Sequence, residues 1–148
     1  MAHENNIYMM RRFVIYALSG WCMEVIFTGI GSLLKGDPTL TSRTYIWMFF
    51  IYGMAIALEP IHNRIRSLPA VVRGGIYMVL IFSAEYTTGF LLYKLIGQCP
   101  WDYTGSRFSV NGYIKLDFIP VWFTVGLLFE KLHDALISPR SIINPERT

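Results

Sequence analysis

Four long apolar runs, separated by short polar segments, constrain the fold of this chain more than any other feature. Each run is about long enough to cross the hydrocarbon core of a bilayer as an α-helix. Hydrophobic residues make up 53% of the chain and charged residues only 16%, whereas about a quarter of a soluble domain is charged. We therefore predict an all-α integral membrane protein, a four-transmembrane-helix bundle in a single membrane domain covering residues 1–148. The expected spans are residues 13–34, 44–64, 73–95 and 118–137.

The longest connection, Gly97 to Asp117, joins the third and fourth runs. Within it, Asn111-Gly112 lies between two short alternating segments, which is a strong local signal for a tight β-hairpin turn. An irregular loop with one Asn-Gly turn is the alternative. In either case we expect the connection to lie at the membrane surface outside the cytoplasm, and Asp117 is a candidate N-cap for the fourth helix.

The basic residues predict the orientation of the bundle. With four spans, both termini and the second connection lie on one side of the membrane. That side carries Arg11, Arg12, Arg64, Arg66, Arg73, Lys131, Arg140 and Arg147, and the other side carries Lys35, Arg43, Lys94, Arg107 and Lys115. The positive-inside rule then places the N- and C-termini in the cytoplasm, which for a bacterial protein means the inner membrane. The scattered basic residues favour membrane lipid, not nucleic acid, as the partner.

One glutamate lies in each run. Glu24 and Glu85 are about eleven residues from the cytoplasmic starts of their helices, roughly 16 Å deep. Both are followed by a Thr-Gly pair, whereas the glutamates of the second and fourth runs lie nearer the cytoplasmic ends. This repeated pattern suggests two helix pairs of the same orientation, a parallel repeat of a kind found in transporters.

Two interpretations of Glu24 and Glu85 remain open. They can be protonated and hydrogen-bonded across the bundle, to side chains such as Thr28, Thr88, Ser19 or Tyr52, and so hold the helices together. Alternatively they line a polar cavity, with Tyr52 and Thr88, and bind a proton, a cation or an amine. We favour the cavity because intramembrane carboxylates tend to mark transport pathways.

A metal centre is a further hypothesis for the other two glutamates. Glu59 with His62, and Glu130 with His133, form two Glu-x-x-His motifs, which together with one glutamate on each of two other helices make a di-iron ligand set. Pro60 distorts one motif, and the mid-span glutamates lie deeper than the motif glutamates. Ion pairs with Arg64, Arg66 or Lys131, and histidines placed at negative helix ends, explain the same residues. We therefore expect no cofactor, with a di-metal centre as the alternative.

The segment Trp101-Asp102-Tyr103 is expected at the outer mouth of the bundle, with its aromatic rings at headgroup depth. Asp102 either caps a turn through the amides of Thr104 or Gly105, or gates an outer vestibule. Cys22 and Cys99 lie at different depths, which argues against a disulfide. No phosphate-binding glycine loop, nucleophile elbow or His-Glu-x-x-His motif is present, so the sequence favours a protein that is not an enzyme, and the ATPase of an ATP-driven system would be another chain.

Five segments of the chain carry a family resemblance. They are Phe50-Ile51-Tyr52-Gly53, Glu85-Tyr86-Thr87-Thr88-Gly89-Phe90, Cys99-Pro100-Trp101-Asp102-Tyr103, Gly112 with Ile114 and Leu116, and Ile119-Pro120 with Trp122-Phe123. Together they resemble the transmembrane protein 229 family, which is similar to bacterial proteins labelled type IV ABC-transporter permeases. The resemblance extends from about Gly20 to Glu130 and implies a multi-pass membrane protein. It also implies carboxylates matching the four glutamates, but it does not require the two histidines, which lowers the di-iron hypothesis further.

From these observations we expect a small permease or transport component with an intramembrane carboxylate site. Four spans make a thin wall for a pathway, so the protein would act as a homo-oligomer or beside another membrane subunit, and the ATPase would be a separate chain. A non-transporting interaction or lipid-binding protein is the alternative, and a metal-dependent membrane enzyme is a third hypothesis.

Overall fold

The computed structural model describes residues 2–138, and the basic residues of the C-terminal tail, Arg140 and Arg147, lie outside that range. The chain is mostly helical. The elements are α1 (Ala2–Leu34), α2 (Ile46–Gly53), a 3-10 segment (Met54–Leu58), α3 (Glu59–Ile65), α4 (Ala70–Ile96), β1 (Ser109–Val110), β2 (Ile114–Lys115), a second 3-10 segment (Leu116–Phe118) and α5 (Ile119–Ile137). They form two compact units, Met1–Ile61 and His62–Thr148, which are described one at a time.

Two described helices are long and apolar enough to cross a membrane, Asn6–Leu34 in the first unit and Ala70–Ile96 in the second. Only 22% of the most apolar window of either helix is buried, so both present mostly apolar surface outward. Helix α5 has 19 residues but carries Glu130, Lys131 and Asp134 in its second half, which makes it more polar than the other two.

The helix boundaries differ from the expected spans at two places. Helix α1 begins at Ala2 and not near Phe13, because the polar residues before the apolar run include neither proline nor glycine and extend the helix. The second run is not one continuous α-helix. Its middle, Met54–Leu58, is a 3-10 segment that ends two residues before Pro60. Proline has no backbone N–H and its ring crowds the preceding turn, which accounts for the interruption.

In the first unit, α1 packs against α2 through glycines that face aromatic rings. Gly20 on α1 lies directly under the ring of Tyr52, and Gly53 on α2 lies under the ring of Phe13. Tyr16 and Ala17 are almost fully buried at this contact. Small residues allow helix backbones to approach closely, as they commonly do in membrane proteins.

The second unit repeats this packing between α4 and α5. Gly74 lies under the ring of Phe123, and Gly126 lies against Tyr77, whose side chain is completely buried. The edge of the Tyr77 ring contacts Phe129, with ring centroids 5.8 Å apart. The two helices are therefore packed together at two positions along their length, and at each position a glycine contacts an aromatic side chain.

The connection between α4 and α5 contains a two-residue antiparallel ladder, in which Ser109 pairs with Lys115. The turn residues Asn111 and Gly112 have positive φ angles of 52° and 75°, as a type I′ turn requires. The Asp117 side chain does not cap α5, contrary to expectation. Phe118 occupies the N-cap position, and the carboxylate of Asp117 lies 3.1 Å from the ammonium of Lys115.

Candidate functional site

The carboxylate of Glu85, halfway along α4, receives a hydrogen bond on each oxygen. The Tyr103 hydroxyl lies 3.2 Å from Oε1, and the Trp122 indole N–H donates to Oε2 over 3.1 Å. Tyr103 comes from the connection between α4 and α5, and Trp122 comes from the second turn of α5. Both side chains contact the ring of Phe118 edge-on, at centroid distances of 5.6 and 6.1 Å, which fixes their orientation. A carboxylate is thus held by two neutral groups.

The connection above this carboxylate forms a polar concavity of about 540 Å³. Its lining includes Asp102, Thr104, Asn111 and Tyr113. The amide and the hydroxyl of Thr104 both donate to Oδ1 of Asp102, so the expected turn cap is present. The hydrogen bond from the Thr104 hydroxyl keeps the pKa of Asp102 below its usual value, and the hydrogen bond from the Thr104 amide adds a smaller effect in the same direction.

Trp101 is hydrogen-bonded to the hairpin beside this concavity. Its indole N–H donates to the carbonyl oxygen of Tyr113 over 2.9 Å, across the base of the hairpin. The amide of Asn111 donates to the hydroxyl of Tyr86 on α4 over 2.8 Å, which ties the turn to the helix. The thiol of Cys99 also lines the concavity, and burial raises its pKa above the usual value. Cys22 and Cys99 are both free thiols.

Glu24 has a comparable environment in the first unit. Its carboxylate lies within hydrogen-bonding reach of the hydroxyls of Tyr52 and Thr44, and Thr44 in turn accepts a 2.7 Å hydrogen bond from the indole of Trp21. The second oxygen, Oε2, is buried without a hydrogen-bond partner among the described residues. Glu24 therefore has neutral neighbours and one oxygen whose hydrogen-bonding capacity is unmet.

The threonines beside these glutamates bond to the backbone. The Thr28 hydroxyl donates to the carbonyl oxygen of Glu24 over 2.9 Å, and the Thr88 hydroxyl donates to that of Ala84 over 2.7 Å. Both are hydrogen bonds within one helix, a common way for threonine to satisfy its hydroxyl in an apolar environment. The carboxylates receive their donors from tyrosine, tryptophan and Thr44 instead.

The motif glutamates are both bound to arginine. Arg73 on α4 donates to both oxygens of Glu130. In the first unit, Arg12 on α1 donates to Glu59 over 2.8 Å, and the Tyr16 hydroxyl donates to the same oxygen over 2.9 Å. Of the expected partners Arg64, Arg66 and Lys131, Arg66 instead donates to Asp134. The ion pairs form across facing helices, because the glutamates point toward the neighbouring helix and not along their own.

Sequence reasoning missed these arginines, although a signal for them exists. Arg12, Tyr16 and Glu24 each have a counterpart 61 residues later, Arg73, Tyr77 and Glu85, and both sets follow the pattern Arg-x-x-Ile-Tyr-x₇-Glu. The two Glu-x-x-His motifs lie 71 residues apart. A comparison of the two halves would therefore have singled out Arg12 and Arg73, each with its tyrosine, as equivalent positions.

The histidines of the motifs come together in the second unit. His62 and His133 are each only 2% exposed, and their ring centroids lie 5.0 Å apart. Nδ1 of His62 lies 2.8 Å from the Tyr77 hydroxyl and 3.6 Å from Oε1 of Glu130. Asp134, which sequence reasoning did not select, lies 3.5 Å from Nε2 of His62.

Comparison with known families gives one match over most of the chain. Residues 11–147 match the model of the family described as "Putative ABC-transporter type IV". The matched range contains both mid-span glutamates, both Glu-x-x-His motifs and the connection with Trp101 and Tyr103. No solved structure matches the chain.

Proposed function

Because the chain belongs to the type IV ABC-transporter family, we propose that it is the membrane-spanning component of a transport system, with an intramembrane carboxylate site centred on Glu85. The family indicates a membrane-located transporter component with membrane-associated partners. The apolar helices Asn6–Leu34 and Ala70–Ile96 support the same location. The proposed ion pathway, and the identity of the ion that uses it, are argued from the chemistry around Glu85.

The observation that carries the proposal is the pair of neutral donors on Glu85. A charged carboxylate in a low-dielectric segment costs several kcal/mol unless a cation or a proton compensates it. Tyr103 and Trp122 orient the carboxylate but bring no positive charge. Either a proton or a small cation would supply the missing compensation, and exchange of that ion is the proposed chemistry.

We propose that the nearby polar concavity supplies the route between this carboxylate and water. Tyr103 belongs to the same connection that lines the concavity, and its hydroxyl contacts Glu85 directly. Asp102, one residue earlier, is exposed and held ionised by Thr104, so it attracts cations to the mouth. In this proposal an ion passes from the concavity around Asp102 to Glu85 by way of the Tyr103 hydroxyl.

Glu24 is the corresponding group of the first unit. It occupies the position 61 residues before Glu85 in the repeated pattern, and its buried Oε2 has no hydrogen-bond partner among the described residues. Tyr52 contributes a hydroxyl to Glu24, whereas Thr88 supports the helix backbone near Glu85. We assign Glu24 the same role as Glu85, binding of a proton or a small cation.

We further propose that the whole chain forms a single four-span membrane domain with cytoplasmic termini. Helix α2, the 3-10 segment and α3 would make the second span, and α5 the fourth. The partner would be a second copy or another membrane subunit, together with an ATPase on a separate chain. The hairpin connection would lie on the outer face.

A non-transporting interaction or lipid-binding protein is the second candidate function. The observation that favours it is the tight interhelical bonding of Arg12 to Glu59 and of Arg73 to Glu130, because such pairs are sufficient to build a rigid scaffold. In that case Glu85 would be protonated permanently and act only as a hydrogen-bonding contact between α4 and α5. The two candidates differ in whether Glu85 exchanges its ion.

The test is ion flux in proteoliposomes that contain a pH-sensitive dye. Under an imposed voltage, the wild-type protein is expected to admit protons faster than empty liposomes, and Glu85→Gln should lose most of that flux. Asp117→Asn is the matched control, because Asp117 forms a surface ion pair with Lys115. Equal flux in wild type and Glu85→Gln, with both correctly folded, would remove the site and favour the scaffold.

A further inference from the structure

The geometry points to a divalent-cation site formed by His62, His133 and Asp134, at the end of the α4–α5 pair opposite the hairpin. One ligand atom from each of these residues lies within 4.8 Å of the other two. Two imidazoles and one carboxylate are a ligand set typical of Zn²⁺, with a fourth position left for water. This set differs from the Glu-x-x-His ligand set, because both motif glutamates are bound to arginine.

His62 provides the strongest evidence for a cation ligand. Its ring is 2% exposed, and Nδ1 is hydrogen-bonded to the Tyr77 hydroxyl. The other nitrogen, Nε2, is buried without a hydrogen-bond partner among the described residues. It lies 3.5 Å from Oδ1 of Asp134, too far for a good hydrogen bond. Buried polar atoms are rarely left unsatisfied, and a cation between these two atoms would give Nε2 of His62 its partner.

Tyr77 supports the proposed ligand in the way that metal sites require. A metal-bound histidine usually donates its other ring N–H to an acceptor, which fixes the tautomer and the ring orientation. The Tyr77 hydroxyl, on a completely buried side chain, lies 2.8 Å from Nδ1 of His62 and can serve as that acceptor. The ring of Phe129 stacks on His133 at a centroid distance of 5.8 Å and forms an apolar wall behind the second ligand.

The charges around the cluster permit a cation. Glu130 is neutralised by Arg73, and Asp134 accepts a 2.9 Å hydrogen bond from Arg66. The side chains of Arg66 and Asp134 are 56% and 41% exposed, so Arg66 can move away into solvent. A tetrahedral site with bonds of 2.0–2.1 Å needs ligand atoms about 3.3 Å apart, so the three side chains would close inward on binding.

The experiment uses the full chain in lipid nanodiscs, stripped with a chelator and titrated with Zn²⁺ alone. We expect one Zn²⁺ per chain and a higher unfolding temperature in its presence. Asp134→Asn, a change of the same shape at a partly exposed position, should weaken binding by about tenfold or more. Asp117→Asn is the matched acidic control and should bind as wild type does. Binding that Asp134→Asn leaves unchanged would overturn the site.

Arg66→Gln separates a metal site from a simple ion-pair cluster. If Arg66 competes with the metal for Asp134, its removal should tighten Zn²⁺ binding, by roughly threefold for a surface pair of this kind. If the cluster is only a network of ion pairs, Arg66→Gln should lower stability and leave the weak Zn²⁺ affinity unchanged, which would contradict the proposal.

Two further measurements keep this test independent of folding and of the transport proposal. Co²⁺ in place of Zn²⁺ should give the visible absorption of a tetrahedral nitrogen and oxygen site, and its loss in His133→Gln identifies the ligand. Absence of that absorption in the wild type counts against the site. Glu85→Gln should bind Zn²⁺ normally, so failure of the carboxylate proposal would leave this result unaffected.

Discussion

Arg73 on α4 donates two hydrogen bonds, of 2.7 and 2.9 Å, to the two carboxylate oxygens of Glu130 on α5. Such a two-point contact is the strongest geometry available to an ion pair between helices. Arg12 and Glu59 form the corresponding pair in the first unit, with one hydrogen bond and the added hydroxyl of Tyr16. Each unit thus contains an arginine on a long helix that is paired with a glutamate on another helix, α1 with α3 in the first unit and α4 with α5 in the second.

The first prediction concerns the unequal strength of these two pairs. The side chain of Glu130 is 7% exposed and that of Glu59 is 13% exposed, and Arg73 contacts both carboxylate oxygens of Glu130. Arg73→Ala leaves a buried carboxylate without its cation, so we expect it to lower the unfolding temperature by several degrees, more than Arg12→Ala does. Thermal unfolding in detergent measures both, with exposed Arg107→Ala as control. An equal loss for the two variants would contradict this ranking.

The second prediction tests the contact between α4 and α5. A methyl group added at Gly126 would overlap the Cβ of Tyr77, a rigid and fully buried neighbour. Gly126→Ala should therefore cost about 1–3 kcal/mol of stability through overpacking. Gly75→Ala is the matched control, because nothing lies within 4 Å of a Cβ there, and it should be neutral or stabilise by up to about 1 kcal/mol. Destabilisation by both variants to the same extent would show that the contact is not specific.

The third prediction concerns the hairpin turn. Gly112 has a φ of 75°, and a Cβ on it would lie 2.7 Å from the Thr104 hydroxyl oxygen. Gly112→Ala should cost about 1–2 kcal/mol from the left-handed backbone alone and loosen the lining of the concavity. Trypsin should then cut faster after Arg107 and Lys115. Gly105→Ala, with open space around it, should be cut as slowly as wild type.

The sequence predicts the helical segments well because length and hydropathy determine them locally. The apolar runs from Phe13 and Arg73 became the long helices α1 and α4, with boundaries extended where no proline or glycine intervened. Glu85 is predicted as a site residue from local sequence too, because burying a carboxylate within an apolar run costs free energy wherever that run packs.

What the sequence did not provide was the set of partners. Tyr103 and Trp122 reach Glu85 from 18 and 37 residues away, and the side of α5 that faces α4 is not apparent from apolar pattern alone. Asp134 was missed because it follows His133 directly and resembles an ordinary surface charge. The arginine partners could have been found from the 61-residue register, which links Arg12 to Arg73 as it links Glu24 to Glu85.

The most direct test of the central claim is infrared difference spectroscopy of the Glu85 carboxyl in lipid. The wild-type spectrum minus that of Glu85→Gln isolates the bands of this one group. We predict that those bands change when pH or the concentration of a small cation is varied, because the group exchanges its ion with the concavity. A carboxyl band that stays constant under every such condition, and does not exchange in D₂O, would contradict the proposed site.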